Sequence, residues 1–240
     1  FDGEATWPIW TPDGKNIVFS GRTTTADDSL YQMSADGTGR AAPLPGLDGV
    51  RFPCAWSHDG DELVYLETAK GATSIQAFSL SGKTTRELVQ GGKGGASYAA
   101  VSPDGQWLAY VTSESGRGEV FVQPYAGGAR TPVSAQGGIS PRWTRDGREL
   151  IFVEPREGAR SLYWSIPVSA GSTLTLGTPR RIGEVANGDF GTTIPISNFD
   201  VAPDGRLLGS SRRFTTPPPP KTLELITNWF DELETKVPGR

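Results

Sequence analysis

The chain has 240 residues, long enough for one large domain or two small ones, and its charged fraction of 21% and aromatic fraction of 10% are typical of a folded globular protein. Its net charge is −4 and no long block of basic residues occurs, so we expect no nucleic-acid partner. No apolar run approaches the roughly 18 to 20 residues that cross a bilayer as a helix.

The chain starts at Phe1 instead of methionine, and its first 20 residues contain no charged-then-apolar signal segment. We therefore expect a mature or excised part of a longer protein, tethered through a segment outside this chain. Cys54 is the single cysteine, which excludes an intrachain disulfide and a multi-cysteine zinc site. We expect it to be a small buried residue in a strand.

Glycine and proline punctuate the whole sequence: 31 glycines and 19 prolines are spread along it, which indicates turns at short intervals and favours an all-β fold. An Asp-Gly pair recurs five times in matching contexts, at spacings of 46, 45, 42 and 58 residues. We predict that all five pairs form structural turns. Their residues are Asp13, Gly14, Asp59, Gly60, Asp104, Gly105, Asp146, Gly147, Asp204 and Gly205.

The flanks of these pairs repeat as well. Tryptophan or valine stands three residues before each aspartate, and isoleucine or leucine stands four residues after it. Alternating apolar positions on both sides of an Asp-Gly turn predict a β-hairpin. We expect a type I turn with the glycine in the left-handed conformation and the aspartate accepting hydrogen bonds from nearby backbone N–H groups.

Two further strand candidates follow each hairpin. The third segments are 29–33, 74–78, 119–123, 161–166 and 223–226, and the weaker fourth segments are 41–44, 85–89, 130–133 and 180–185. Four short strands in a repeat of about 45 residues predict an all-β fold, a β-propeller of four-stranded antiparallel blades.

Five blades are visible in the sequence. We expect either a closed five-bladed ring or part of a six- or seven-bladed one. The last blade is incomplete, and its tail at 227–240 has apolar spacings that would suit a short helix. The predicted blades are 1–49, 50–95, 96–137, 138–194 and 195–240.

The five repeats resemble the TolB-type, WD40-like propeller repeats, in which an aromatic-Ser-Pro-Asp-Gly hairpin recurs once per blade. Residues 101–153 and the tail TLELITNWFDELETKVP at 222–238 are also similar to the propeller of bacterial membrane proteins linked to a Ser/Thr protein kinase. This resemblance implies a periplasmic or cell-surface module that acts as a sensor or docks a protein. No kinase signature occurs in the chain itself.

Catalytic interpretations find little support in the residue types. Five equivalent aspartates would be distributed around a ring, no Gly-x-Ser-x-Gly motif occurs, and the single histidine, His58, cannot build a multi-histidine metal site. His58 takes the place of a turn proline and is expected at an exposed corner. We predict no catalytic residue, no cofactor and no metal. A carbohydrate-active enzyme with carboxylates at the mouth of the central channel is the alternative, because 27 acidic residues can supply a pair.

Candidate partner-binding residues lie in two segments: Glu114, Arg117 and Glu119 in the loop SESGRGEV, and Trp229 and Phe230 in the tail. An Arg–carboxylate bridge that orders the loop is the alternative for the first segment.

Stretches that do not repeat are further candidates for specificity. We expect a protein partner, such as a membrane protein or a larger complex, and a small ligand in the channel is possible. The chain would then be a sensor domain or an accessory subunit of a membrane-associated assembly. The non-repeating stretches are 170–179, 184–195 and 212–221.

Overall fold

The computed structural model describes residues 1, 3–23, 26–69, 71–156, 160–170, 173–186, 199–202 and 204–209. Nineteen β-strands and no helix occur in these ranges. The first sheet contains β1 (Glu4–Trp10), β2 (Asn16–Thr23), β3 (Ala26–Ser34) and β4 (Ala42–Asp48). The second contains β5 (Arg51–Trp56), β6 (Glu62–Ala69), β7 (Ala72–Ser79) and β8 (Thr85–Val89).

The remaining sheets follow the same order along the chain. The third contains β9 (Ala96–Val101), β10 (Trp107–Thr112), β11 (Glu119–Pro124) and β12 (Thr131–Pro132). The fourth contains β13 (Ile139–Trp143), β14 (Glu149–Glu154), β15 (Arg160–Ala170), β16 (Leu174–Leu176) and β17 (Arg180–Ala186). The fifth contains β18 (Phe199–Val201) and β19 (Leu207–Gly209).

The sheets are arranged as the blades of a β-propeller, which confirms the predicted fold. Each sheet is antiparallel, and in every blade except the fourth the strands are hydrogen-bonded in chain order from the first strand outward. The first strands of successive blades adjoin one another: β1 with β5, β5 with β9, β9 with β13, and β13 with β18. These first strands therefore form the inner wall of the propeller.

Apolar side chains of the second strands hold neighbouring blades together. Leu63, four residues after its turn aspartate, is fully buried and packs with Val18 and Leu30 of the preceding blade. Leu108 and Leu150 occupy the matching places in the next two blades and are also fully buried. Each such side chain contributes about 1.5–3 kcal/mol of transfer free energy, so the repeating apolar pattern supplies the inter-blade core.

The fourth blade differs from the others through its insertion. β15 runs for 11 residues, and its end pairs with β16, so much of the stretch at 170–179 forms a hairpin where the sequence suggested a variable loop. β17 then returns to pair with the earlier part of β15 and takes the place of a fourth blade strand. Leu174 and Leu176 pack against the core between the third and fourth blades, which explains why this extension is ordered as a strand.

The fifth hairpin has a register of its own. In the first four repeats the residue three before the aspartate pairs with the residue four after it, as in Trp143 with Leu150. In the fifth, Val201 pairs with Leu207, one residue earlier than the sequence alignment suggests. Leu208 is consequently 73% exposed, whereas its counterparts in the second to fourth repeats are buried. The segment 223–226, the tail at 227–240, and Trp229 and Phe230 lie outside the described residues.

Candidate functional site

The five Asp-Gly pairs lie at the turns between the first and second strands, and together they form one end of the propeller, which we call the turn face. The five glycines have φ between +68° and +83°, as a left-handed turn position requires. In each turn the glycine N–H donates to the carbonyl oxygen of the residue three before it. Each motif thus closes a short hydrogen-bonded loop at the end of its hairpin.

The carboxylate of each turn is engaged within its own hairpin. In the third turn the Ser102 hydroxyl donates to Asp104 Oδ1 at 2.5 Å, and the backbone N–H of Gln106 donates to the same oxygen at 3.1 Å. The Ser102 hydroxyl in turn accepts the N–H of Trp107 at 2.9 Å. The same three bonds recur around Asp13, Asp59 and Asp146.

Around Asp13, Asp59 and Asp146 these hydrogen bonds favour the ionised carboxylate. The Thr11 hydroxyl, together with the Lys15 N–H, lowers the pKa of Asp13 below its usual value. Serine or threonine hydroxyls lower the pKa of Asp59 and Asp146 in the same way. A general acid near neutral pH needs the opposite shift, so these carboxyls are poorly suited to proton donation.

Neighbouring turns pack against one another across the blades. The His58 Nδ1–H donates to the carbonyl oxygen of Pro103 at 2.7 Å, joining the second turn to the third. A Cβ placed on Gly105 would lie 2.5 Å from the His58 Cβ. A Cβ placed on Gly60 would lie 3.2 Å from Pro12 Cγ of the first turn, a less severe approach. The sequence placed His58 at an exposed turn corner; it is exposed, but the hydrogen bond across the blades was not foreseen, because periodicity within a repeat does not report contacts between repeats.

Two grooves lie between turns on this face. The first has a volume of about 490 Å³ and separates the third turn from the fourth. The second has a volume of about 540 Å³ and separates the fourth turn from the fifth. Asp146 and Arg148 line both grooves, with Arg148 Nε 3.9 Å from Asp146 Oδ2. These volumes are in the range of small-ligand pockets and would also admit side chains of a partner.

The loop SESGRGEV lies at the opposite end of the third blade, between β10 and β11. Exposed Glu114 forms two hydrogen bonds with Arg130, which hold the pKa of Glu114 below its usual value. Arg117 donates to Glu119 at 2.6 Å and to the carbonyl oxygen of Ala135 at 2.5 Å. The Arg117–Glu119 pair is an Arg–carboxylate bridge of the kind that the sequence analysis gave as the alternative interpretation of this loop.

Glu119 belongs to the interior of the third blade and is not presented to a partner. Its carboxylate accepts the Ser134 hydroxyl at 2.5 Å and the Gly137 N–H at 3.0 and 3.1 Å. The Ser134 hydroxyl also accepts the N–H of Val120 at 2.9 Å. The residue thus connects β11 to the segment that leads into the fourth blade, whereas Glu114 and Arg117 are exposed.

The inner wall carries a bulge in each of its first four strands. At the bulges Trp7, Tyr98 and Ser140, each six residues before the turn aspartate, have φ of +59°, +56° and +55°. Such a conformation costs roughly 1–3 kcal/mol for a residue with a Cβ, and it is retained where the surrounding packing imposes it. The rings of Trp7 and Phe52 lie 5.1 Å apart, so the bulges also place aromatic groups on this wall.

Cys54 and Arg142 occupy the same wall. Burial raises the pKa of the Cys54 thiol to about 12, so the thiol is neutral at physiological pH, and both side chains lie deep in the molecule while keeping some accessible surface. Arg142 was not singled out from the sequence. A signal was available: the matching positions in the first three repeats are Ile9, Ala55 and Ala100.

Across the ranges that the structure describes, no group of three or more histidine, cysteine, aspartate or glutamate side chains is arranged to hold a metal ion. In those same ranges, no helix has the length and apolar character needed to cross a membrane.

No family model matches the chain, and the similar sequences include two TolB homologues and a dipeptidyl-peptidase 5 of Porphyromonas gingivalis, which is 25% identical over 167 residues. The chain is 28% identical over 157 residues to a TolB homologue of Chlorobaculum tepidum, covering 65% of this chain and 34% of that protein. It is 30% identical over 105 residues to a TolB homologue of Chlorobium chlorochromatii, covering 43% of this chain and 23% of that protein. The chain therefore spans about a third or less of the length of these curated relatives.

Solved structures show the same fold. The putative TolB from Agrobacterium tumefaciens aligns with a TM-score of 0.65 and 19% identity over 88% of this chain and 76% of that chain. TolB from Acinetobacter baumannii aligns with a TM-score of 0.57 and 23% identity over 70% and 41%. An oligogalacturonate lyase in complex with manganese also aligns, with a TM-score of 0.52 and 18% identity over 68% and 48%. The fold is thus shared by proteins that include an enzyme.

Proposed function

We propose, from the premise that the chain is built of TolB-type propeller repeats, that it is a non-catalytic scaffold that binds a protein partner or ligand outside the cytoplasm. The observation that carries this proposal is the state of the repeated aspartates. In the first four turns the carboxylate is committed to hydrogen bonds of its own hairpin, as Asp104 is to Ser102 and Gln106. The residues that recur are therefore used for architecture, which leaves function to the surfaces between them.

The turn face is the surface that we assign to the partner. Its two grooves are lined by exposed groups of both charges, including Arg145, Asp146 and Arg148, on a frame held rigid by turn-to-turn contacts such as that of His58 with Pro103. A rigid frame lowers the entropy lost on binding. Mixed charges at the rim would guide the register and rate of association more than the final affinity.

The setting of this module is the second part of the proposal. Residues 101–153 resemble the propellers of kinase-linked membrane proteins, and the curated TolB homologues are similar over more of the chain. We place the propeller outside the cytoplasm, tethered through a part of the protein beyond this chain, as a sensor domain or an accessory subunit of a membrane-associated assembly.

Site-specific photocrosslinking tests the assignment. A photoreactive residue at Arg145 on the turn face would be compared with one at Ser115, an exposed position at the opposite end of the third blade, in cells that produce the full-length protein. We expect a discrete crosslinked protein from position 145 and none from position 115. The same product from both positions, or products from 115 alone, would contradict binding at the turn face.

A catalytic role would show itself differently. The alternative, a carbohydrate-active enzyme, requires turnover of glycan substrates by the purified protein and its loss when one carboxylate pair is changed to amides. We expect no turnover. Measured turnover that depends on such a pair would overturn the non-catalytic proposal.

A further inference from the structure

Arg142 on the inner wall has no counter-ion among the residues that the structure describes. Of the Arg142 N–H donors, Nη1 makes a weak contact of 3.2 Å to the carbonyl oxygen of Pro141, the residue before it. No carboxylate lies within 4 Å of the guanidinium in the part of the chain that the structure describes. By contrast, Arg51, Arg86 and Arg130 each form an ion pair of 2.6–2.7 Å with a glutamate.

The surroundings of Arg142 do not neutralise it. Burial lowers the pKa of Arg142, and the nearby Asp200 opposes this effect without reaching ion-pair distance. Asp200 Oδ1 instead accepts the N–H of Val201 at 2.9 Å. The Cys54 thiol, with its raised pKa, carries no negative charge at neutral pH. Arginine remains protonated even when it is buried, so the positive charge persists.

The position of Arg142 in the propeller is distinctive. Four residues before the turn aspartate, the first three repeats carry Ile9, Ala55 and Ala100, and the fourth carries Arg142. Arg142 is the first residue after the bulge of β13, where regular pairing with β14 resumes through Ile151. Arg142 lies on β13 and Cys54 on β5, two blades away, and both strands belong to the inner wall that the first strands form.

We propose that Arg142 forms an oxyanion-binding site on the inner wall of the propeller, which takes a carboxylate or phosphate group of a ligand that enters along the axis. A guanidinium that is partly removed from solvent, and that makes one weak hydrogen bond among the described residues, carries a free-energy cost that a bound anion reduces. Its planar fork of donors matches the two oxygens of either group. This inference deepens the ligand-binding part of the proposed function and rests on it.

Anion titrations of the purified chain test the site. Inorganic phosphate and malonate, in separate titrations at constant ionic strength, would be followed by calorimetry and by the thermal midpoint. We expect at least one of them to bind, and we expect Arg142→Gln to weaken that binding roughly ten- to hundredfold, as loss of a charged hydrogen-bonding group does. The matched control is Arg40→Gln, which changes an exposed arginine between β3 and β4 of the first blade and should leave the affinity unchanged.

Two further variants separate this site from a structural role. Without anion, Arg142→Met should keep or raise the thermal midpoint, because it removes an uncompensated charge. Asp200→Asn should strengthen anion binding by removing a nearby negative charge. Equal anion affinity of the wild type and Arg142→Gln would overturn the proposal. A large drop in the thermal midpoint of both Arg142→Met and Asp200→Asn would also overturn it, because it would indicate an internal ion pair between the two residues. Crosslinking at Arg145 tests protein binding at the turn face independently. Failure of the anion site and failure of the proposed function can therefore be distinguished.

Discussion

At the scale of single residues, two constraints require glycine in the turns: the backbone conformation and the packing of the neighbouring turn. Gly14 and Gly105 have nearly the same backbone conformation, with φ of +68° and +73°. Nothing lies within 4 Å of a Cβ built on Gly14, whereas a Cβ on Gly105 meets His58 at 2.5 Å. The first glycine is therefore required by backbone conformation alone, and the second by conformation together with the packing of the neighbouring turn.

This difference predicts unequal costs for the same substitution. Gly14→Ala should lower the free energy of unfolding by about 1–2 kcal/mol, the cost of a left-handed residue with a Cβ. Gly105→Ala should cost about 1–3 kcal/mol more, because the added methyl group overpacks the contact. Urea unfolding would measure both values.

A double-mutant cycle provides the control. In the His58→Gly background, where the opposing Cβ is absent, Gly105→Ala should cost no more than Gly14→Ala. Equal costs of the two alanine variants in the wild-type background would show that the turns do not pack in solution as described here.

At the scale of the element, three of the hairpins contain a carboxylate whose hydrogen bonds favour its ionised form. The hydroxyls of Thr11, Ser57 and Thr144 are the main cause of the lowered pKa of Asp13, Asp59 and Asp146. Their pKa values in the folded state lie below the unfolded value of about 3.9. Their contribution to stability is thus complete above that value and is lost as the pH falls through the folded pKa.

We therefore expect these groups to add no pH dependence to the free energy of unfolding near pH 7 and to make it decrease as the pH falls below about 4. The triple variant Asp13→Asn, Asp59→Asn and Asp146→Asn should show a shallower decrease over the same range. Urea unfolding at a series of pH values would measure both curves. An identical acid dependence in the two proteins would mean that these carboxylates have ordinary pKa values in the folded state.

At the scale of the whole molecule, the first and fourth blades differ in how far they bury equivalent tryptophan side chains. Trp10 and Trp143 occupy equivalent positions, three residues before their turn aspartates. Trp143 is 8% exposed, and its Nε1–H donates to the carbonyl oxygen of Ala100 in the preceding blade at 3.1 Å. Trp10 is 61% exposed. On the other side of the array, Leu208 of the fifth blade is exposed as well, so the number of blades and the manner of ring closure stay predictions.

The two tryptophans should respond very differently to truncation. Trp143→Ala should lower the free energy of unfolding by about 3–5 kcal/mol, because it leaves a cavity between blades. Trp10→Ala should change it by less than about 1 kcal/mol, because its side chain is exposed. Chemical denaturation of the two variants makes the comparison. A large cost for Trp10→Ala would indicate that another part of the protein covers this tryptophan in solution.

The fold was largely predictable, and the reason is local. The hairpin motif, the third and fourth strand segments of the first three repeats and the burial of Leu63, Leu108 and Leu150 all follow from apolar alternation around a turn, which depends on residues close in sequence. The pairing of β16 with the end of β15 was not predicted. It occurs in a single repeat, so no internal comparison could identify it.

What the sequence by itself determined is the blade, because five copies of one motif agree on where the chain turns and which side chains face inward. What only the tertiary structure decided is the environment of residues whose partners come from other blades or distant segments. Glu119 is an interior hydrogen-bond acceptor, His58 links two turns, and Arg142 is a cation on the inner wall with no ion pair within the described ranges. The physical reason is that hydrogen bonds and charge pairing depend on distance in space and not on separation in the sequence. His58 and Pro103 are 45 residues apart in the sequence, yet their hydrogen-bonded atoms lie 2.7 Å apart.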